Sequence, residues 1–213
     1  MVPAKNGALV ARPCRCMALR GALGCGISAQ TLDACTWACW QKLEAWQERA
    51  EGMGREYVRR VLEEPGFSGW FVAAGRPGCG KTKLCTTVLR EILLGGRRGL
   101  YVSWRDFARQ AKSAANDGER FRALVDPVKS VPVLYVDDLL KNHATSADMG
   151  LIFEVLNERY SAERPTIISS ELTIDTIVRG DEGIGSRIAE RSKDFYLDLS
   201  RARNWRLDHA AGA

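Results

Sequence analysis

Apolar positions along the chain change their period several times, and each change marks a predicted element. Trp37, Trp40, Leu43, Trp46, Ala50, Met53, Tyr57, Val58 and Val61 recur at spacings of mostly three or four, which predicts a long amphipathic helix. Gly52 and Gly54 are expected to weaken or bend it. Pro65-Gly66 and Ser68-Gly69 predict a turn. Beyond the turn, short apolar runs of strand type occur at Trp70 to Ala74, Leu100 to Ser103, Val131 to Val136, Thr166 to Ser170 and Phe195 to Leu199. Between them lie stretches of helical spacing at Lys81 to Leu94, Phe107 to Ala115, Glu119 to Val125 and Ala147 to Ser161, with two short helices before the last strand. This alternation predicts an α/β fold in which a mainly parallel five-stranded sheet is sandwiched by helices. Residues 1 to about 30 show no sustained period and predict a loop-rich segment.

The length of 213 residues accommodates one α/β domain of roughly 140 to 150 residues and a small appendage. The predicted division is a segment over 1–65 and a nucleotide domain over 66–213. A 46% hydrophobic and 27% charged composition excludes a disordered chain. The formal charge of +5 tilts towards an anionic partner, although so small an excess also serves solubility. No signal-type apolar core follows the first basic residues and no run reaches membrane-spanning length, so a cytoplasmic protein with no membrane contact is expected. In that setting the seven cysteines are expected as free thiols.

The chemistry concentrates in two places. Gly75-Arg76-Pro77-Gly78-Cys79-Gly80-Lys81-Thr82 matches the phosphate-loop pattern G-x-x-x-x-G-K-[ST], and it lies between a predicted strand and a predicted helix. Polyphosphate binding needs inward-pointing backbone N–H groups, a cation and a helix N-terminus. Glycines at 75, 78 and 80 permit close approach and positive φ. Gly75, Pro77, Gly78, Cys79, Gly80, Lys81, Thr82 and Lys83 are therefore the expected contacts to ATP, with Lys81 on the β and γ phosphates and the Thr82 hydroxyl on Mg²⁺.

The second place is Val133-Leu134-Tyr135-Val136-Asp137-Asp138, an apolar strand ending in two carboxylates, the form of a Walker B motif. Asp137 is expected to hold Mg²⁺ and Asp138 to orient and polarise an attacking water, which points to hydrolysis of the triphosphate. A helix cap and a solvated turn account for the same two residues when they are taken alone.

From Gly69 to Leu207, about two thirds of the chain resembles the replicative helicase loaders and transposition helper ATPases of the DnaC/IstB type, within the AAA+ superfamily. The residues that carry the resemblance are the phosphate loop, Val133 to Leu139, Arg164-Pro165-Thr166-Ile167-Ile168-Ser169-Ser170, Gly185-Ser186-Arg187-Ile188-Ala189-Glu190-Arg191 and Asn204-Trp205-Arg206-Leu207. The resemblance implies a P-loop NTPase of the AAA+/ASCE type. It implies that Arg187 acts as an arginine finger in a neighbouring subunit of a homo-oligomer, with Arg191 as the substitute, and that Arg206 reads nucleotide within its own chain. Where the family carries a polar γ-phosphate sensor, usually Asn, this chain has Glu171, so Ser170 or a rotated Glu171 takes the role. Two surface arginines on a short helix would explain Arg187 and Arg191 equally.

The resemblance also implies a grip on single-stranded DNA and a replicative DNA helicase as partner, contacted through the amino-terminal part. Arg105, Phe107, Arg109, Lys112 and Arg120 supply cations and an aromatic of the kind that follows a phosphate backbone. A solvated helix face with Phe107 in the core is the alternative. Related proteins carry a zinc-binding segment, and Cys14, Cys16, Cys25 with Cys35 or Cys39 are the thiols available for one. Their irregular spacings favour a metal-free segment. Three other functions compete with the loader: a transposition helper that binds duplex DNA, a small-molecule kinase, and a nucleotide-binding adaptor with little turnover.

Overall fold

The computed structural model describes residues 2–3, 9–10, 24–140 and 144–210. A two-stranded antiparallel ribbon pairs β1 (Val2–Pro3) with β2 (Leu9–Val10). Then follow α1 (Ala29–Ala34), a 3₁₀ turn (Trp37–Cys39), α2 (Ala45–Glu63), β3 (Trp70–Gly75), α3 (Lys81–Leu94), β4 (Gly99–Ser103), α4 (Trp104–Ser113) and α5 (Gly118–Ser130). The chain continues through β5 (Val133–Leu139), α6 (Ser146–Ser161), β6 (Thr166–Ser170), α7 (Ile174–Gly180), α8 (Glu182–Ser192), β7 (Tyr196–Leu199) and α9 (Trp205–Ala210). The five strands β3 to β7 form one parallel sheet in the order β4-β5-β6-β3-β7, as the strand and helix alternation predicts. Strand β6 thus lies between the strand that feeds the phosphate loop and the strand that carries the aspartate pair.

Two apolar layers cover the sheet, and the period-two alternation of each strand sorts its residues between them. Phe71, Ala73, Val133, Tyr135 and Ile167 face α3 and the amino-terminal segment. Trp70, Val72, Leu134, Val136 and Ile168 face α4 to α8. The first layer runs across the predicted division at 65/66. Ala50, Tyr57 and Val61 of α2 share it with Leu84 and Val88 of α3, and the Tyr57 hydroxyl donates to the carbonyls of Gly69 (3.1 Å) and Thr166 (3.3 Å).

Two element boundaries differ most from the sequence reading. The long amphipathic helix begins at Ala45, not near Trp37, because competing polar contacts claim the tryptophan-rich stretch. Thr36 caps the 3₁₀ turn, the Trp40 indole N–H donates to the Gln47 carbonyl (2.9 Å), and Glu44 with Gln47 forms a capping box. Helix α2 then runs unbroken through Gly52 and Gly54. At Gly54 a Cβ would stand 2.7 Å from the Trp37 ring, so this glycine makes room for an aromatic. The other difference is α5, which continues past Val125 through Pro127 to Ser130. Arg159, fully buried, satisfies its exposed end by donating to the carbonyls of Val128 (3.2 Å), Lys129 (3.2 Å) and Val131 (2.8 Å). Its remaining nitrogens reach the Thr166 hydroxyl and the Pro165 carbonyl. Burial pushes the Arg159 guanidinium down to about 9, while this ring of oxygens replaces its hydration.

Candidate nucleotide site

Strand β3 delivers the chain to the phosphate loop at its carboxyl end, and the loop turns directly into α3. Gly75, Gly78 and Gly80 all take positive φ (139°, 77° and 98°), and Gly80 is the residue that precedes the helix. At Gly78 the restriction is also spatial: a Cβ would lie 1.9 Å from Oδ1 of Asn204, and the Trp205 N–H donates to the Gly78 carbonyl (3.1 Å). The segment before α9 therefore rests on the loop and places Arg206 at its mouth. Cys79 is buried inside the loop, its thiol donating to the Arg76 carbonyl (2.9 Å); burial raises the thiol's pKa against the lowering influence of Lys81.

The Lys81 ammonium is buried and folded back on the loop, donating to the carbonyls of Gly75 and Arg76 at 2.7 Å each. Phosphate oxygens arriving at the loop would take over these contacts. The cleft is lined by Pro77, Gly78, Gly80, Lys81, Thr82, Lys83, Asp138, Glu171 and Arg206 and measures about 180 Å³. That is below the roughly 300 Å³ of ordinary small-molecule sites and matches the phosphate end of a nucleotide better than the whole of one.

Asp137 and Asp138 enter the site through a local irregularity of β5. Pairing with β6 runs in register to Val136 and Ile168 and resumes only at Leu139 and Ser170, so β5 carries one extra residue. Asp138 lies in the left-handed region (φ 55°). Adjacent side chains of a regular strand point to opposite faces; this bulge lets Asp137 meet Thr82 while Asp138 lines the cleft.

The Asp137 carboxylate accepts four side-chain hydrogen bonds. Oδ1 receives the hydroxyls of Thr82 (3.1 Å), Tyr135 (2.7 Å) and Ser169, and Oδ2 receives the Tyr101 hydroxyl (3.1 Å). Ser169 in turn accepts the Asp138 backbone N–H (3.0 Å). Burial first, then nearby negative charge that includes Asp137, pushes both phenols above their ordinary pKa and keeps them as donors. Tyr101, Tyr135 and Ser169 were not among the residues expected from sequence. Tyr135 was within reach of it, since a residue two positions before Asp137 shares its face of the strand. A hydroxyl and a carboxylate 3.1 Å apart at the mouth of a phosphate loop are hard oxygen donors of the kind Mg²⁺ takes together with phosphate oxygens, so the residues present fit that ion.

Other expected residues fall out differently. Ser170 does not line the cleft: its buried hydroxyl donates to the Leu139 carbonyl (2.8 Å) and accepts from the Leu172 N–H (3.0 Å), and Glu171 forms the wall instead. Lys83 lines the cleft, yet its ammonium donates to the Cys39 carbonyl (2.6 Å) and ties the amino-terminal segment to α3. Arg187, on α8, is not among the residues that line the cleft; it donates to the Gly183 carbonyl (2.5 Å) and stacks 5.0 Å from Phe153 and 5.6 Å from Tyr160. Arg191 is engaged within its own fold by Ser68, the Tyr160 carbonyl and Glu163.

Arg105, Arg109 and Lys112 share the exposed face of α4, at the helical spacing of four and three. Arg109 pairs with Asp106 (3.0 Å) and Lys112 with Asp148 (2.8 Å), while Phe107 is buried against Trp104 in the core and offers no ring to a base. Arg120 is exposed near the start of α5. Cys14 and Cys16 lie outside the described residues. Among the described residues, no cluster of three His, Cys, Asp or Glu side chains is placed to hold a metal, and no helix is long and apolar enough to cross a membrane.

YqaM of Bacillus subtilis is 33% identical over 143 residues, which cover 65% of this chain and 45% of YqaM. The replicative helicase loader DnaC of Escherichia coli is 26% identical over 148 residues, covering 69% of this chain and 58% of DnaC. The chain thus spans about half the length of these curated relatives. The crystal structure of the DnaC helicase loader superposes with a TM-score of 0.64 at 24% identity, covering 79% of this chain and 97% of that one, so the two share a fold. A profile of the family described as IstB-like ATP binding protein matches residues 70–192, a span that holds β3 to α8 with the phosphate loop and both aspartates, and the chain belongs to that family.

Proposed function

We propose that this protein hydrolyses ATP and acts as a DNA replication accessory factor, binding single-stranded DNA and helping to place a replicative helicase on it. The observation that carries the hydrolytic part is the meeting of Thr82 with Asp137 at 3.1 Å, with Asp138 on the wall of the same cleft. The helicase-loading part rests on the family and on the likeness to DnaC.

Lys81 leaves the carbonyls of Gly75 and Arg76 and takes the β and γ phosphates. Thr82 and Asp137 hold Mg²⁺, which when bound neutralises charge on the phosphate oxygens. Asp138 orients and polarises the attacking water, and Arg206 contacts the phosphates from the mouth of the cleft. Arg187, which does not line its own cleft, enters that of a neighbouring subunit and stabilises the charge that develops in the transition state.

The test is steady-state ATP hydrolysis with and without single-stranded DNA, run beside Lys81→Ala and Arg187→Ala proteins. Stimulation by DNA that disappears in both variants is expected. Activity indifferent to DNA and to Arg187 would overturn the loader reading in favour of a kinase or an adaptor. Mixing the two variants is expected to restore part of the activity, because each supplies what the other lacks. The family match favours one second reading, a transposition helper that binds duplex DNA. Competition between duplex and single-stranded oligonucleotides separates the two.

A further inference from the structure

Asp137 is held by more donors than a metal-binding carboxylate needs in order to meet its metal. Thr82, the partner it shares the ion with, is one of four; the other three come from three different strands. Tyr101 sits on β4, Tyr135 on β5 and Ser169 on β6. Tyr101 and Tyr135 are direct neighbours across the parallel pair β4-β5, and their rings meet edge to face at 5.2 Å. Tyr135 is fully buried, and Tyr101 is anchored from outside the sheet, where its backbone N–H donates to the Cys25 carbonyl at 2.6 Å. These contacts fix the height and tilt of both phenols before any ligand arrives.

We propose that Tyr101 and Tyr135 are positioning residues that hold the Asp137 carboxylate in the orientation that receives Mg²⁺ at the nucleotide phosphates. The proposal rests on the reading of Thr82 and Asp137 as the metal-holding pair. For the Thr82 hydroxyl to present a lone pair to the ion, its proton turns away from Oδ1. Oδ1 then keeps Tyr135 and Ser169, and Oδ2 keeps Tyr101. With a donor on each oxygen the carboxylate cannot swing about its Cβ–Cγ bond when Thr82 lets go. Partners of this kind orient a metal ligand, and their loss typically weakens metal affinity by 10- to 100-fold.

The test measures the affinity of a fluorescent ADP analogue in excess Mg²⁺ and in EDTA for the wild-type, Tyr101→Phe, Tyr135→Phe and double-variant proteins. Phenylalanine keeps both rings and their packing and removes only the hydroxyl. The expected result is that the enhancement of affinity by Mg²⁺ falls about tenfold in each single variant and further in the double one. Affinity in EDTA is expected to stay at the wild-type value, while loss of a hydrogen bond to a buried carboxylate lowers the melting temperature by several degrees at most. Full Mg²⁺ dependence in both single variants, or equal losses with and without Mg²⁺, would overturn the positioning role alone. A wild-type protein that binds the analogue without any Mg²⁺ dependence would overturn the metal assignment of Thr82 and Asp137, and the positioning role with it.

Discussion

The cleft at the end of β3 and the exposed face of α4 both present cations, but their surroundings differ. In the cleft, Lys81 is buried and its ammonium is held by two carbonyls, while Asp137 accepts hydroxyls from α3 and three strands. On α4, Arg109 is 75% exposed and paired with Asp106, three residues away on the same helix. A cation whose hydration has been replaced by fixed dipoles is committed to one geometry and interacts strongly with whatever displaces them. A solvated cation keeps its water, is screened by salt and adds little to stability. The first arrangement suits a specific anion, and the second suits a backbone that can bind in many registers.

Four measurements sharpen or break this contrast. The largest effect is expected for Lys81→Ala, which removes the one ammonium held inside the loop; ATP hydrolysis should fall by about 10² to 10³, the usual cost of losing a fixed charge-stabilising donor. Next is Phe107→Ala on α4, where a buried ring is lost from the core. Chemical denaturation should show about 3 to 5 kcal/mol of destabilisation, in line with large-to-small core substitutions.

The third measurement concerns Lys112, whose partner Asp148 closes the capping box of α6 with Thr145. Burial alone would raise the Asp148 carboxyl, but the bonds from Lys112 and Thr145 outweigh it and hold its pKa below the usual range. The group therefore contributes stability above a pH of roughly 4, its ordinary pKa, and loses it as pH falls through the depressed folded value. Lys112→Ala should cost up to about 1 kcal/mol near neutral pH, with the difference from wild type shrinking in acid unfolding experiments. A loss of DNA binding in this variant must be judged against that structural effect. The smallest effect on stability is expected for Arg109→Ala, within about 0.5 kcal/mol. If α4 follows a DNA backbone, the slope of log affinity against log salt should fall by about one in this variant; an unchanged slope would remove Arg109 from the DNA face.

The phosphate loop was legible because its determinants are contiguous: glycines at fixed offsets, a lysine and a threonine, flanked by a strand and a helix. The tyrosine and serine donors to Asp137 were not, because they depend on strand order. Ser169 reaches the carboxylate only because β6 is inserted between β3 and β5, and Tyr101 only because β4 pairs in register with β5. The same dependence explains why Glu171 and not Ser170 lines the cleft, since the Ser170 hydroxyl is taken up by the Leu139 carbonyl where the bulge ends. Continuation of α5 past Pro127 required a distant arginine that no local pattern announces.

By itself the sequence determined the alternation of strands and helices, the parallel sheet, the phosphate loop and the pairing of Lys81 and Thr82 with an aspartate pair on another strand. These follow from local periodicity and from chain geometry, which act over a few residues. Only the tertiary structure decided which hydroxyls hold Asp137, that Lys83 reaches the Cys39 carbonyl, that Phe107 is buried and that Asn204 and Trp205 seat Arg206 against the loop. Those outcomes depend on contacts between residues far apart in sequence, settled when burying the two faces of the sheet required each buried polar group to find a partner.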